Sequence, residues 1–338
     1  MKGKKKPFNY KKLISFGKAF VAVRLLKKRV PLFVSWAITR QCNRRCAYCG
    51  LWENNPAGEL STRAALFIID ALGKLGTKVI SFTGGEPLLR QDIGRLLAHA
   101  HAKGIETKMN SNGDLAKARI DELVDLDVLT LSLDGPQDIH DAIRGEGSYH
   151  NVMQAAQAAR SCGIKIEFAT VITKANIGYF GSILEKAKEY AAKVTFQPAT
   201  VNLLGGGSAN PLVPSQEAYW DAIDKLIMRK SRGERRIGNS IACLRHLRNW
   251  PNPTRIQCAS GSLSLRIEPN GDVLYCSRMS ALTLSQNAAT ADLPTIFAQL
   301  KPLACDQCWC ASRVELNLLA SLSIGAVIKQ RRELLWRL

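Results

Sequence analysis

Three cysteines, Cys42, Cys46 and Cys49, lie close together and directly follow a short apolar segment of the chain. Spacings of three and two residues allow one loop to wrap three thiolates around a single metal centre. A structural zinc site needs four ligands, whereas a four-iron cluster held by three cysteines keeps one iron open to a substrate or cofactor. The triad therefore favours an iron–sulfur centre that does chemistry. Zinc with a distant fourth ligand is the alternative.

A second set of cysteines lies towards the C-terminus, at Cys258, Cys276, Cys305, Cys308 and Cys310. Cys276 lies in the second strand of a predicted hairpin whose turn spans residues 269–272. Such a short, turn-rich segment buries little apolar surface by itself, and a bound metal centre would compensate. Clustered cysteines in a chain with no recognisable secretory signal are typical of metal ligands rather than disulfides. We expect a second metal centre here.

Two further cysteines stand outside both sets. Cys162, near the end of a predicted helix, is expected to be a buried, small apolar residue. Cys243 lies in a basic stretch, and a structural position is the simpler expectation for it. The alternative is a thiol that faces the substrate, which makes Cys243 the one candidate for a catalytic side chain.

The elements that must position these cysteines alternate between strands and helices. Short β-branched segments predict strands at 33–38, 78–83, 105–110, 127–133, 164–171 and 193–198. Helices are predicted between them at 61–75, 89–103, 115–124, 148–162 and 176–192. This alternation predicts an α/β fold with a parallel sheet, arranged as a partial (β/α)6 TIM-type barrel. Functional groups should then follow the C-terminal ends of the strands, where the first cysteine triad lies.

The residues after successive strands resemble the signature of the radical S-adenosylmethionine (SAM) enzymes over about residues 33–200. The triad, with Tyr48 before its last cysteine, resembles the family's cluster loop. The run Gly84, Gly85, Glu86 and Pro87 resembles the loop that takes the methionine amino group of SAM. The resemblance adds further SAM-site candidates after later strands, at Asn112, Ser132, Asp134, Arg144 and Asn176.

This resemblance implies a role for several of these side chains. Ser132 and Asp134 would lie near the ribose, Arg144 would meet the methionine carboxylate, and Asn176 would lie near the adenosine. A guanidinium can pair with a carboxylate through two hydrogen bonds, which suits Arg144 to that role. The resemblance implies a [4Fe–4S] cluster, SAM cleavage to a 5′-deoxyadenosyl radical, hydrogen abstraction from a substrate, and a reducing partner such as flavodoxin or ferredoxin.

The C-terminal cysteines resemble the SPASM or Twitch extension of radical SAM enzymes. The full SPASM pattern has seven cysteines, whereas this chain has five. The resemblance implies one auxiliary [4Fe–4S] cluster held by Cys258, Cys276, Cys305 and Cys308, with Cys310 as a substitute, and zinc is the alternative.

We expect a basic amphipathic arm at 1–30, the barrel at 31–230, a small cysteine-rich Fe–S domain at 231–312, and an amphipathic helix at 313–338.

The charge and the composition restrict the classes of substrate and partner that we expect. The net charge is +19, of which residues 1–30 carry +11 and residues 311–338 carry +3, so the body is only mildly basic. The basic amphipathic ends suggest peripheral contact with a membrane and a lipid-like substrate. Peptide modification and oxidation or epimerisation of a sugar or aminocyclitol are the alternatives. An aromatic content of 7% disfavours nucleic-acid binding.

The sequence shows no apolar run long enough to span a membrane. We therefore expect a cytoplasmic protein, with peripheral contact to the inner face of the membrane left open.

Overall fold

The computed structural model describes residues 29–53, 58–204, 207–276, 286–300 and 305–321. The predicted basic arm, except its last two residues, and most of the predicted C-terminal helix lie outside these residues. In the described part, the sheet has eight strands in the order β6-β5-β4-β3-β2-β1-β7-β8. They are β1 Phe33–Thr39, β2 Val79–Gly84, β3 Glu106–Ser111, β4 Val128–Ser132, β5 Lys165–Ile172, β6 Lys193–Pro198, β7 Ser264–Ile267 and β8 Val273–Leu274.

Strands β1 to β6 are parallel, which confirms the predicted strands and the α/β partial barrel. The sheet is open, and β6 and β8 form its two edges. Strand β7 pairs in parallel with β1, and β8 returns antiparallel to β7. The predicted hairpin therefore extends the barrel sheet rather than standing apart from it. The division at residue 231 between barrel and Fe–S domain stays a prediction.

The helices cover one face of the sheet. They are α1 Thr62–Lys74, α2 Ile93–Ala102, α3 Gln137–Arg144, α4 Ser148–Ser161, α5 Phe180–Glu189, α6 Gln216–Ser231, α7 Ile241–Leu247, α8 Leu293–Gln299 and α9 Ala311–Ala320. The Ser61 side chain accepts from the Ala64 amide and so begins α1.

Two helix predictions need correction. The segment 115–124 was expected to be helical, but only Ile120–Leu123 forms a short 3-10 turn there. The Arg119 guanidinium donates to the carbonyls of Arg90 and Gln91, and these tertiary contacts override the local helical preference. Helix α3, which ends at the SAM-site candidate Arg144, was not predicted.

Alternate side chains of each strand point to opposite sides of the sheet. The side that faces the helices forms the main core, with Trp36, Phe82, Phe168 and Phe196 among its largest buried side chains. Burial of a large aromatic side chain contributes about 1.5–3 kcal/mol to folding. The core thus fixes the strands, and with them the loops that follow their C-terminal ends.

Within the described residues, no helix has both the length and the apolar character that a membrane span requires.

Candidate active site

The loop at residues 42–49, called the cysteine loop below, follows β1 as predicted. Its three thiols are partly exposed. Burial raises the pKa of the Cys49 thiol, and the nearby Cys46 and Cys42 raise it further. The three thiols are therefore close enough in the loop to interact electrostatically. Three neighbouring thiols in a partly open loop fit the ligand set of an iron–sulfur cluster.

A partly buried carboxylate holds the outer side of the cysteine loop. Asp114, in the loop after β3, accepts from Arg44 Nη2 at 2.7 Å and from Arg44 Nε at 2.5 Å. It also accepts from Asn43 Nδ2 at 2.9 Å and from Asn151 Nδ2 at 2.9 Å. These contacts tie the residues between Cys42 and Cys46 to the third loop and to α4. Sequence reasoning missed Asp114, because its role depends on partners far away in the chain.

On the inner side, Arg144 lies between Cys46 and the buried side chains of Asp134 and Tyr48. Its Nε donates to Asp134 Oδ2 at 2.6 Å, its Nη2 donates to the Tyr48 hydroxyl, and its Nη1 lies 3.9 Å from Cys46 Sγ. The Tyr48 hydroxyl donates to the same Asp134 oxygen at 3.1 Å. Asp134 is fully buried, so this network compensates its charge. The three predicted SAM-site residues Tyr48, Asp134 and Arg144 therefore meet beside the cysteine loop.

Glu86 connects the second loop of the site to the third. Its carboxylate accepts from the Leu88 amide at 3.1 Å, the Asn112 amide at 2.8 Å and the Ser111 hydroxyl at 2.9 Å. Burial raises the pKa of Glu86 to about 7, although these three hydrogen bonds act in the opposite direction. A cation brought beside Glu86 would favour its ionised form, which is compatible with the predicted ammonium contact.

The structure explains why the two residues before Glu86 are glycines, which the sequence alone did not explain. A Cβ on Gly84 would collide with the Thr39 carbonyl, and one on Gly85 would collide with the Gln41 carbonyl. Gly84 also has a φ of +127°, which side-chain-bearing residues rarely adopt. Both glycines thus let the second loop lie directly against the chain that enters the cysteine loop. Pro87 begins a short 3-10 turn there.

The remaining SAM-site candidates also lie at this edge of the sheet. Ser132 is half-buried at the end of β4. Asn112 donates from Nδ2 to Asn43 Oδ1 at 2.8 Å, and so contacts the cysteine loop. Asn176 is fully buried, and both ends of its amide are used within its own loop, by the Thr173 amide and the Val171 carbonyl. The predicted contacts of these residues with SAM stay predictions.

The C-terminal cysteines at 258, 276, 305, 308 and 310, called the cysteine group below, come from several separate segments. Burial raises the pKa of Cys308 to about 12, and the neighbouring Cys310, Cys258 and Cys305 contribute to the rise. Cys308 therefore lies close to each of the other three thiols. Among the described residues, no set of three or more His, Cys, Asp or Glu side chains is arranged to hold a single metal ion.

Of the two isolated cysteines, Cys162 does not have the expected burial and Cys243 does. Cys162 was expected to be buried, but it is exposed at the end of α4, because the helix ends there and the chain turns at Gly163. Cys243 is fully buried in α7, where its thiol donates to the Ala311 carbonyl at 3.8 Å. Asn239 Nδ2 donates to the same sulfur at 3.6 Å. This is a packing position, which favours the structural interpretation of Cys243 over the catalytic one.

The face of the sheet opposite the helices, called the concave face below, carries two rows of polar side chains. One row of paired residues crosses four strands, from Arg266 on β7 through Ser35 and Ser81 to Lys108 on β3. A second row runs from Asn110 through Thr130 and Glu167 to Lys193. Apart from the buried Arg266 and the exposed Asn110, these residues are half-buried. The face could therefore surround a ligand that forms many hydrogen bonds.

The sequence profile described as "Radical SAM superfamily" matches residues 36–187, which span β1 to α5 and contain the cysteine loop and the Glu86, Asp134 and Arg144 contacts. This segment of the chain is a radical SAM domain. Enzymes of this superfamily use a [4Fe–4S] cluster and SAM, and they need a reductant and a substrate. The three neighbouring thiols of the cysteine loop fit that cluster.

Among curated proteins, the chain is 33% identical over 167 residues to the AdoMet-dependent heme synthase of Nitratidesulfovibrio vulgaris, covering 47% of this chain and 45% of that protein. It is 30% identical over 260 residues to the mycofactocin maturase MftC of Mycobacterium tuberculosis, covering 73% of this chain and 64% of that protein. The chain thus spans about half the length of the heme synthase and under two thirds of the maturase.

Among solved structures, Streptococcus suis SuiB bound to S-adenosylmethionine aligns with a TM-score of 0.68 at 17% identity. The alignment covers 86% of this chain and 71% of SuiB. At this identity the similarity establishes the fold, including the part of the chain that follows the matched radical SAM segment.

Proposed function

We propose that this chain is a radical SAM enzyme in which Cys42, Cys46 and Cys49 hold the SAM-binding [4Fe–4S] cluster. When bound, the cluster and SAM supply a 5′-deoxyadenosyl radical that abstracts hydrogen from the substrate. The observation that carries the proposal is the convergence of three thiols, the Arg144–Asp134 pair and Glu86 at one edge of the sheet. Flavodoxin or ferredoxin is the proposed class of reductant.

The protein's own groups position the reactants. Asp134 and Tyr48 hold the Arg144 guanidinium in one orientation beside Cys46, and a fixed guanidinium is suited to bind the methionine carboxylate. Glu86 fixes the backbone of the second and third loops, and its carboxylate suits the methionine ammonium. Preorganised charges of this kind reduce the cost of orienting a bound reactant.

We further propose that the cysteine group holds an auxiliary [4Fe–4S] cluster. Five cysteines are available for four positions, and the proximity of Cys258, Cys305 and Cys310 to Cys308 supports Cys310 as a ligand in place of Cys276. Its proposed role is electron transfer to or from the substrate site.

For the substrate, the polar concave face favours a molecule rich in hydrogen-bonding groups. The lipid-like substrate expected from the sequence rests on the two amphipathic ends, which lie largely outside the described residues. Membrane contact at those ends therefore stays a separate proposal, testable by flotation with anionic vesicles. A sugar or aminocyclitol and a peptide both fit a polar face.

Peptide modification is the second candidate for the reaction. The observation that favours it is the similarity to mycofactocin maturase MftC across 73% of the chain, well beyond the matched radical SAM segment. A peptide offers the amide and hydroxyl groups that the serine, threonine and lysine side chains of the concave face would bind.

The first test uses anaerobically purified and reconstituted full-length protein. Iron and sulfide per chain are measured, and 5′-deoxyadenosine is then assayed after addition of dithionite and SAM. About eight irons per chain with SAM cleavage is the expected result. Zinc in place of iron, without SAM cleavage, would overturn the proposal.

The substrate proposal is tested separately, with fractionated extracts of polar metabolites, peptides and lipids as stimulants of SAM cleavage. We expect stimulation by a polar fraction, and loss of that stimulation in Lys108→Met, with basal cleavage unchanged. Lys188→Met, which removes an exposed lysine of α5, is the matched control. Stimulation by the lipid fraction alone would contradict the polar-substrate proposal.

A further inference from the structure

We propose that Asn317 is a positioning residue for the auxiliary cluster and that its amide raises the reduction potential of that cluster. The inference rests on the proposed cysteine-group cluster. It concerns a side chain in α9, beyond the last cysteine, to which neither the sequence pattern nor the family match assigns a role.

The Asn317 amide joins two segments of the cysteine group. Its Nδ2 donates to Cys308 Sγ at 3.4 Å, and its Oδ1 accepts from the Ala259 amide at 2.9 Å. Ala259 directly follows Cys258 in the chain. One side chain therefore links the segment that carries Cys258 to the segment that carries Cys308, although the two are 50 residues apart in sequence.

The burial of Asn317 makes these contacts costly to lose. The residue is 2% exposed, and the neighbouring Leu316 and Ala259 belong to a small apolar cluster. A buried amide without partners costs about 1–3 kcal/mol, so its position in the fold depends on both hydrogen bonds. The helix α9 thus presents the amide to the sulfur in a fixed orientation.

A donated N–H changes the electronic properties of the sulfur that accepts it. Reduction of a cluster places additional negative charge on its thiolate ligands, and an N–H donor stabilises that charge. Hydrogen bonds to ligand sulfurs are among the factors that set the reduction potential of iron–sulfur clusters. Asn317 should therefore raise the potential of the auxiliary cluster, and its removal should lower it.

The test uses full-length chains in which Cys42, Cys46 and Cys49 are all replaced by alanine, so that only the auxiliary cluster remains. After anaerobic reconstitution, iron is counted and the reduction potential is measured by titration followed by electron paramagnetic resonance. The variants are Asn317→Asp, which keeps the oxygen acceptor but removes the donor, and Asn317→Leu, which removes both. Ser312→Asp is the matched control, because Ser312 is exposed on the same helix.

We expect about four irons per chain in the parent and the control. In both Asn317 variants, the ratio of reduced to oxidised cluster at a given potential should fall at least tenfold, equivalent to a shift of about 59 mV for one electron. Either variant is sufficient if the other does not retain iron.

Three results would overturn the inference, and they separate it from the proposed function. Unchanged potentials in iron-loaded variants would remove the tuning role while leaving the auxiliary cluster in place. Loss of iron from both variants, with the iron content of Ser312→Asp unchanged, would show that Asn317 only supports the structure of the site. No iron in the parent chain would instead overturn the auxiliary cluster itself.

Discussion

In the cysteine loop, all three thiols come from one short stretch of chain, between a buried ion pair and a partly buried one. Arg144 is paired with Asp134 on one side, and Arg44 is paired with Asp114 on the other. In the cysteine group, the thiols come from several segments, and the contact to Cys308 Sγ comes from the neutral amide of Asn317. One site is thus local in sequence and held by charge, and the other is assembled by the fold.

This difference shows how two thiol sites in one chain can be given different properties. The Arg144 and Arg44 guanidiniums both favour the ionised form of Cys46, although burial raises the pKa of its thiol overall. A neutral donor stabilises a thiolate less than a charged one. Arrangements of this kind would allow the two proposed clusters to be tuned independently.

The largest expected effect comes from removing one thiol from each region. Cys46→Ala should abolish SAM cleavage and remove about four irons per chain. Cys308→Ala should also lose about four irons, but it should retain SAM cleavage. Iron analysis and a 5′-deoxyadenosine assay measure both.

The exposed Cys162→Ala is the control and should change neither quantity. Loss of SAM cleavage in Cys308→Ala would contradict the separation of the two regions.

The second effect concerns stability of the cysteine-loop region. Arg144→Met leaves the buried Asp134 carboxylate without its cation, and breaking a buried pair in this way costs about 3–5 kcal/mol. Urea unfolding of the apoprotein measures the change in unfolding free energy. Addition of Asp134→Asn to the variant should recover part of the loss.

The control is Lys188→Met, which removes a surface pair whose side chains are 70% and 73% exposed. Exposed pairs contribute about 0–1 kcal/mol. A loss in Arg144→Met no larger than that of the control would show that Asp134 is compensated by its other hydrogen bonds.

The third prediction concerns acid sensitivity next to the cysteine loop. Burial, together with Arg144, lowers the pKa of His140 to about 4 from its usual 6.5. As pH falls from 6.5 to 4, the unfolded chain therefore binds a proton that the native protein does not. The unfolding free energy of the apoprotein should fall over this window, by up to about 3 kcal/mol from this residue.

His140→Gln should flatten that part of the pH profile, whereas His150→Gln, at an exposed position, should not. Identical profiles for His140→Gln and the wild type would show that His140 is not the group responsible.

The smallest expected effect tests the catalytic interpretation of Cys243. Because its thiol is buried in α7, Cys243→Ala should cost about 1 kcal/mol of stability through a small cavity. SAM cleavage and substrate turnover should be unchanged. Loss of turnover at wild-type stability would instead place this thiol at the substrate.

Much of the barrel was predictable, because its strands and most helices carry local patterns that agree with the tertiary fold. The exceptions are segments whose local structure is set by contacts with residues far away in the sequence. Helix α3 was overlooked because its residues also form part of a binding motif, and 115–124 is held out of a full helix by the contacts of Arg119. The exposure of Cys162 depends on what packs against the end of α4, which no local pattern reports.

The sequence by itself determined the cysteine loop, the order of the loops after the strands and the superfamily, because these depend on residue type and spacing within short segments. Only the tertiary structure decided the partners of those residues. It paired Arg144 with Asp134 and Arg44 with Asp114, joined β7 to β1 in one sheet, and directed Asn317 to a sulfur nine residues earlier and to a backbone amide 58 residues earlier. Such contacts depend on the direction in which each side chain points in the folded chain. The spacing of residues in the sequence does not determine that direction.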